Sequence, residues 1–159
     1  MQKRFIFLLG IFIFLTVLAG CSADIPEETE PEPVMPVILG TQIADGSYEI
    51  DVEASSSMFR VVKCVLTAAN GEMQAEMTMS GQGYGMVYMG TGEKALLDSE
   101  EKYIPFVLDE NGGKVFTVPV EGLNMELDCA AWSIRKEKWY DRTLIFHSER
   151  IPAESLSME

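Results

Sequence analysis

The sequence predicts an all-β protein, an antiparallel β-sandwich of immunoglobulin-like size. Short runs of alternating apolar and polar residues recur from about residue 41 onward, and most are bounded by Gly, Asn or Asp. Two of these runs flank Asn70-Gly71, a pair that favours the tight turn of a hairpin. Roughly seven or eight strands at this spacing fit a sandwich, and a closed barrel is the alternative that the spacing leaves open.

The predicted elements follow one another along residues 41–159, the predicted domain. In the first strand, Tyr48, Ile50 and Val52 alternate with acidic residues, which indicates one buried and one wet face. One helical turn is predicted at residues 93–98, around Ala95-Leu96-Leu97. Further strands are predicted at residues 60–67, 73–79, 84–89, 103–108, 115–120, 125–131 and 139–147.

Residues 1–20 have the pattern of a secretion signal. Lys3 and Arg4 precede an uncharged apolar run from Phe5 to Gly20, which is shorter than the ~20 residues of a membrane-spanning helix. Small residues then lead to Cys21. The segment resembles the lipobox of bacterial lipoproteins. The resemblance implies that Cys21 carries fatty acyl chains such as palmitate and anchors an extracytoplasmic protein to the cell membrane.

Residues 21–40 are predicted to be an acidic, Pro-rich linker. The segment contains four prolines, five acidic residues and no basic residue. Proline disfavours helix and sheet, and like charges keep a chain extended. The segment therefore predicts a tether that holds the domain away from the membrane.

Charge and residue counts exclude several classes of function. The chain has 12 basic and 25 acidic residues, for a net charge of −13, which opposes binding to nucleic acid. A single histidine and three cysteines exclude a three-histidine metal site and a four-cysteine zinc site. No serine lies in a nucleophile motif with His147, so no catalytic residue, enzyme activity or metal site is predicted.

Cys64 and Cys129 are both predicted to point into the core. Cys64 shares a strand face with Val62 and Leu66, whereas Cys129 shares one with Leu127 and Ala131 and alternates with acidic residues. Outside the cytoplasm such a pair can form a disulfide if the spacing of the Cα atoms permits it. A Cys64–Cys129 bridge and two buried thiols are the two states that the sequence leaves open.

Basic and aromatic residues cluster at residues 133–142, against the acidic character of the chain. Cations beside aromatic faces suit a flat or anionic ligand. We predict a ligand site for an anionic planar molecule such as haem, and the alternative is a solvated hairpin whose lysines protect an edge strand. The predicted ligand residues are Arg60, Arg135, Lys136, Trp139 and Tyr140.

The domain resembles one found in surface lipoproteins of clostridia-like Gram-positive bacteria. The resemblance covers nearly all of residues 41–150 and supports the fold and the location more than a function. The residues that carry it lie at 45–48, 58–62, 88–91, 103–106, 116–120 and 138–144.

A more distant similarity is to NEAT domains, the haem-binding, immunoglobulin-like modules of Gram-positive surfaces. It rests on the order of Asp45-Gly46, the strand at 116–120 and the aromatic hairpin near the end. NEAT domains bind haem iron through a tyrosine of a Tyr-x-x-x-Tyr motif, whereas Tyr140 is followed four residues later by Leu144. The similarity implies haem as the candidate cofactor.

Together these features predict a lipid-anchored binding module at the cell surface. The alternative is a structural or assembly component of an envelope or transporter complex that takes no small-molecule ligand. This alternative predicts a protein partner in the envelope. Both hypotheses predict that the lipid contacts the membrane.

Overall fold

A computed structural model describes residues 35–157, which form two antiparallel sheets of five strands each. The apolar faces of the sheets enclose the core, so the predicted all-β sandwich is confirmed. One short helix, α1, spans Gly92–Leu97. The strands are β1 Gly46–Ile50, β2 Val52–Ala54, β3 Val61–Ala69, β4 Glu72–Met79, β5 Tyr84–Met89, β6 Ile104–Pro105, β7 Val107–Leu108, β8 Lys114–Pro119, β9 Glu126–Ser133 and β10 Lys138–Phe146.

The first sheet has the strand order β1-β3-β4-β8-β7, and the second has β2-β10-β9-β5-β6. In β3, β4 and β8, alternate residues are buried between the sheets. Leu66, Met77 and Phe116 of the first sheet and Leu144 and Phe146 of the second are fully buried. Burial of each large apolar side chain contributes about 1.5–3 kcal/mol, so these facing rows are the main source of stability.

The predicted hairpin turn at Asn70-Gly71 is confirmed. Asn70 and Gly71 have φ values of 54° and 81°, the left-handed conformation that this turn requires and that these residues adopt most easily. The turn joins β3 to β4. Gly40 packs against it so closely that a Cβ at Gly40 would collide with the Gly71 carbonyl.

Two predicted strands are each divided between the two sheets. The run at residues 48–52 breaks at Asp51, because β1 pairs with β3 whereas β2 pairs with β10. The run at 103–108 breaks at Phe106, because β6 pairs with β5 whereas β7 pairs with β8. Strands that bend across a corner in this way are a common device of packed sheets.

The sandwich begins before residue 41. Ile38 is buried and forms an antiparallel bridge with Leu123, with N···O distances of 3.2 and 2.8 Å. The Asn124 side-chain amide donates to the Pro36 carbonyl at 2.9 Å. The last residues assigned to the tether therefore pack on the domain.

The predicted signal peptide, Cys21 and most of the tether lie outside the described residues and stay predictions. Within residues 35–157, no helix combines the length and the apolar character needed to cross a bilayer.

The disulfide that the sequence left open is not formed, because Cys64 and Cys129 are both free and buried. Cys64 lies on β3 of the first sheet and Cys129 on β9 of the second. Burial raises the pKa of each thiol to about 12, so both are inert, uncharged core residues.

Candidate functional site

One end of the sandwich carries a cleft between the loop that precedes β3 and the β9–β10 hairpin. We call this the cleft; its volume is about 310 Å³. It brings two of the predicted ligand residues, Arg60 and Arg135, to one surface. Its lining residues are Met58, Arg60, Met79, Gly81, Gly83, Tyr84, Ser133 and Arg135.

Local hydrogen bonds hold the two walls of the cleft. In the hairpin, the Glu137 N–H donates to the Ser133 carbonyl at 2.8 Å, and the Ile134 N–H donates to Gly83 at 3.0 Å. In the facing loop, Phe59 is fully buried, whereas the neighbouring Met58 is 77% exposed. The Phe59 ring anchors the loop in the core, and Met58 is left at the mouth of the cleft.

Arg142 lies beside Tyr84, on the core-facing side of β10. One guanidinium nitrogen donates to the Tyr84 hydroxyl at 3.0 Å, and another donates to the Asp141 carbonyl at 2.6 Å. The guanidinium carbon is 5.3 Å from the ring centroid of Tyr140 and 6.0 Å from that of Tyr84. The cation therefore lies near the Tyr140 ring and at the hydroxyl end of Tyr84, and both contacts stabilise it.

Arg142 has no carboxylate partner among residues 35–157. Its Nε is buried and has no hydrogen-bond partner. The same part of the chain also provides no ion pair for Arg60 or Arg135. A buried donor without an acceptor costs about 1–3 kcal/mol, so this end of the sandwich is suited to an anion.

Lys114 holds the backbone beside the cleft, a role that was not predicted from the sequence. It is buried at the start of β8, and its ammonium donates to the carbonyls of Gln82 at 2.9 Å and Tyr84 at 2.7 Å. The ammonium also lies 4.1 Å from the ring centroid of Phe106. Burial lowers the pKa of Lys114, and the two carbonyls fix the strand that presents Tyr84.

The five predicted ligand residues do not share one surface. Adjacent residues on a strand point to opposite faces, so Trp139 lies on the outer face of the second sheet while Tyr140 lies beside Arg142 on the inner face. Lys136 is exposed in the hairpin turn and does not line the cleft. The same two-residue period places Tyr140 and Arg142 on one face of β10. The sequence contains this signal, but the prediction did not use it.

Trp139 lies in a groove on the outer face of the second sheet. We call this the tryptophan groove; its volume is about 520 Å³. Within it, the ring centroids of Trp132 and Trp139 are 5.4 Å apart in an edge-to-face arrangement. The groove is lined by Gly92, Glu93, Leu96, Trp132, Glu137, Lys138, Trp139 and Asp141.

Asp98 connects the elements behind the groove. Its carboxylate accepts from the Lys102 ammonium at 2.8 Å, the Tyr88 hydroxyl at 2.9 Å and the Ser99 N–H at 2.9 Å. These donors, above all Lys102, hold the pKa of Asp98 at about 2, below its ordinary value of 3.8. The hydrogen bond that each of them donates to Asp98 raises the pKa of Tyr88 and that of Lys102.

We expect the contribution of Asp98 to stability to depend on pH. Because the folded state lowers the pKa from 3.8 to about 2, the contribution is complete above about pH 4 and is lost as the pH falls towards 2. Asp98→Asn should therefore destabilise the protein above pH 4 and should have a vanishing effect near pH 2. Denaturation curves at several pH values measure this, and a difference that stays constant with pH would contradict it.

Other chemistry is sparse in the described part of the chain. Residues 35–157 contain no group of three or more His, Cys, Asp or Glu side chains placed to hold a metal ion. The His147 Nε2 lies 3.7 Å from the Glu53 carboxylate, and the neighbouring Ser148 hydroxyl accepts from Asn124 at 2.9 Å. Histidine and serine are thus engaged with other partners and not with each other.

The solved structures that are similar to this chain include two of the same domain. No family model and no curated protein matches the chain. The NEAT5 domain of IsdX2, a B. anthracis hemophore, in complex with heme, is 14% identical, with a TM-score of 0.49 over 67% of this chain and 99% of that one. A mutant of the same domain with heme is 15% identical, with a TM-score of 0.49 over 69% and 100% of the two chains. These similarities are too low to assign the chain to a family.

Proposed function

We propose that this protein is a binding module, without catalysis, for an anionic planar ligand of which haem is the prime candidate. The observation that carries the proposal is Arg142, a partly buried cation between Tyr84 and Tyr140 that has no carboxylate partner in residues 35–157. Arg60 and Arg135 add two further cations at the mouth of the cleft. In a chain of net charge −13, cations gathered without acidic partners favour an anion.

Each part of the cleft has a role in this proposal. Arg60 and Arg135 bind carboxylates through charge-assisted hydrogen bonds, which are stronger than neutral ones. The side chains of Met58 and Met79 offer polarizable apolar contacts to a ring. A tyrosine oxygen is a known protein ligand of ferric haem iron. Tyr84 lines the cleft, whereas Tyr140 lies beside Arg142 and outside the lining. A cavity of about 310 Å³ takes one edge of such a ligand and leaves the rest in solvent.

The proposed setting is the outer side of the cell membrane. The lipobox-like segment and Cys21 support a lipid anchor, and the acidic linker supports a tether between the membrane and the domain. An acidic domain is not attracted to anionic headgroups, so the lipid itself would hold it there.

A second candidate function is assembly within an envelope or transporter complex. The observation that favours it is the apolar surface of α1, where Leu96 is 71% and Leu97 is 84% exposed next to the tryptophan groove. Apolar patches of this kind often mark protein interfaces. Isolation from solubilised membranes separates the two functions: bound colour supports the ligand module, and a stoichiometric protein partner supports assembly.

Titration with haem tests the first proposal. The full chain in detergent micelles, read against empty micelles, should give a saturable Soret shift. Replacing both Arg60 and Arg135 by alanine should weaken binding by at least tenfold, because each loses a charged hydrogen bond worth about 1.5–3 kcal/mol. Stability should change by no more than about 0.5 kcal/mol, since both side chains are on the surface.

A matched control removes two charges elsewhere, through Lys63→Ala and Lys94→Ala, and should bind haem as the parent does. Tyr84→Phe and Tyr140→Phe then test iron ligation, because the ligating oxygen is lost while the ring stays. The absence of a saturable shift in the parent would contradict the haem proposal. Equal affinity in the arginine variant and its control would show that haem binds outside the cleft.

A further inference from the structure

The tryptophan groove is a second concave surface, on the opposite side of β10 from Arg142. The outer face of a sheet is normally wet and polar, yet here it carries both tryptophans of the chain. Leu96 of α1 forms part of the wall and is 71% exposed. The groove is therefore an open aromatic surface, separate from the proposed haem cleft.

The groove is held in shape by its surroundings. The Trp139 ring meets the edges or faces of Trp132, Tyr103 and Tyr88 at centroid distances of 5.4, 5.0 and 6.5 Å. The Tyr103 hydroxyl in turn donates to the Ala95 carbonyl at 2.7 Å, which fixes α1 against the ring. A ligand would thus meet a preformed aromatic wall, which lowers the entropic cost of binding.

Glycine at position 92 allows the helix to approach the sheet. A Cβ there would lie 2.8 Å from the Trp139 Cβ, a distance that atoms do not tolerate. The Gly92 N–H also donates to the Asp141 carboxylate at 2.6 Å. The first turn of α1 is thereby joined to β10, and Asp141 is held at the wall of the groove.

The rim of the groove is negatively charged. Glu93, Glu137 and Asp141 line it, and none of them forms an ion pair in the described part of the chain. The one basic residue of the lining is Lys138, whose ammonium lies 4.6 Å from the centroid of the Tyr140 ring. Lys138 therefore has an aromatic contact of its own, and the groove keeps an excess of carboxylates.

We propose that the tryptophan groove binds an organic cation of the quaternary ammonium class. The methyl groups of such a cation pack on indole faces, its charge is attracted by the ring quadrupoles, and the surrounding carboxylates add long-range attraction. A neutral ligand would leave the acidic rim without a role. A bare metal ion would need several close oxygen ligands, and residues 35–157 offer no such group.

The two tryptophans make this proposal directly measurable, because the chain has no others. Tetramethylammonium and choline, added to the full chain at constant ionic strength, should produce a saturable change in tryptophan emission. The neutral carbon isostere of choline, dimethylbutanol, should bind at least threefold more weakly. Equal binding of the cation and its isostere, or the absence of saturation with either cation, would overturn the proposal.

Paired variants locate the site. Glu93→Gln together with Glu137→Gln should weaken the binding of tetramethylammonium at least threefold, whereas Glu72→Gln together with Glu76→Gln, on the exposed face of the first sheet, should not. Trp139→Leu should weaken it two- to fivefold, the ratio that matches about 0.5–1 kcal/mol for an exposed cation–π contact, with Trp132 left as the reporter. Equal weakening by both glutamate pairs would show nonspecific charge attraction and overturn the assignment.

Vesicles distinguish a free cation from a lipid headgroup. If phosphatidylcholine vesicles change the emission and soluble choline competes with them, the groove accepts the headgroup as well as the free cation. If only the soluble cations bind, the ligand is a free quaternary ammonium compound. Emission that responds to a lysine-rich peptide but not to tetramethylammonium would replace the proposal with a peptide site. These measurements are independent of haem, so either proposal can fail alone.

Discussion

Replacing Phe116 by alanine should lower the free energy of unfolding by about 3–5 kcal/mol. The Phe116 ring is fully buried in the middle of β8, opposite Met77 on β4, and its edge meets Phe106 at a centroid distance of 6.4 Å. Alanine would leave a cavity between the sheets that neighbouring strands cannot fill without losing their register. Since domains of this size are stable by only about 5–15 kcal/mol, the loss is a large share of the total.

Guanidinium denaturation of the full chain measures this effect as a lower midpoint with an unchanged slope. The matched control is Thr117→Ala, on the next residue of β8, whose side chain is exposed. It should change stability by no more than about 0.5 kcal/mol. Similar losses in the two variants would contradict the placement of Phe116 in the core.

Replacing Cys21 by alanine should leave the protein unprocessed or release it from the membrane fraction. If the lipobox prediction is correct, this cysteine is the only attachment point for acyl chains. Removal of the leader takes away Lys3 and Arg4, so the remaining chain is even more acidic than the net charge of −13. Such a chain has no electrostatic attraction to an anionic membrane surface.

Fractionation of cells together with labelling by a radioactive fatty acid tests this prediction. Ser22→Ala, one residue further on, is the matched control and should be labelled and retained as the parent is. A Cys21→Ala protein that is cleaved normally and stays in the membrane fraction would show that the lipoprotein interpretation is wrong.

Local patterns in the sequence were sufficient to predict most strands. A run bounded by Gly83 and Gly90 predicted β5 with its observed ends, and Asn70-Gly71 predicted the turn before β4, because both signals depend on neighbouring residues. Alternation does not reveal which strand lies alongside. The exchange of sheets at Asp51 and Phe106 was therefore missed, since each run keeps its period while its partner changes.

The candidate sites depended on distant contacts and were harder to predict. Composition drew attention to Arg135 and Trp139, but the contact between Arg142 and Tyr84 joins residues that are 58 positions apart. Lys114 can be buried because the carbonyls of Gln82 and Tyr84 accept hydrogen bonds from its ammonium, and no neighbour in the sequence signals this. Trp139 and Tyr140 are adjacent in the sequence, but adjacent residues of a strand point to opposite faces. The aromatic cluster of the sequence is therefore divided between two surfaces of the fold.

The pairing of β2 with β10 also sets the order in which the protein can form. Ala54, near the start of the domain, pairs with Leu144, near its end. The second sheet is therefore complete only after β10 has been synthesised. Pairings of such long separation slow folding, since a large loop must close before any contact rewards it. A chain that emerges N-terminus first therefore leaves β2 without its partner until residue 146 has been made. The second sheet can therefore be completed only after nearly the whole domain has been synthesised, whereas the first sheet needs no strand beyond β8.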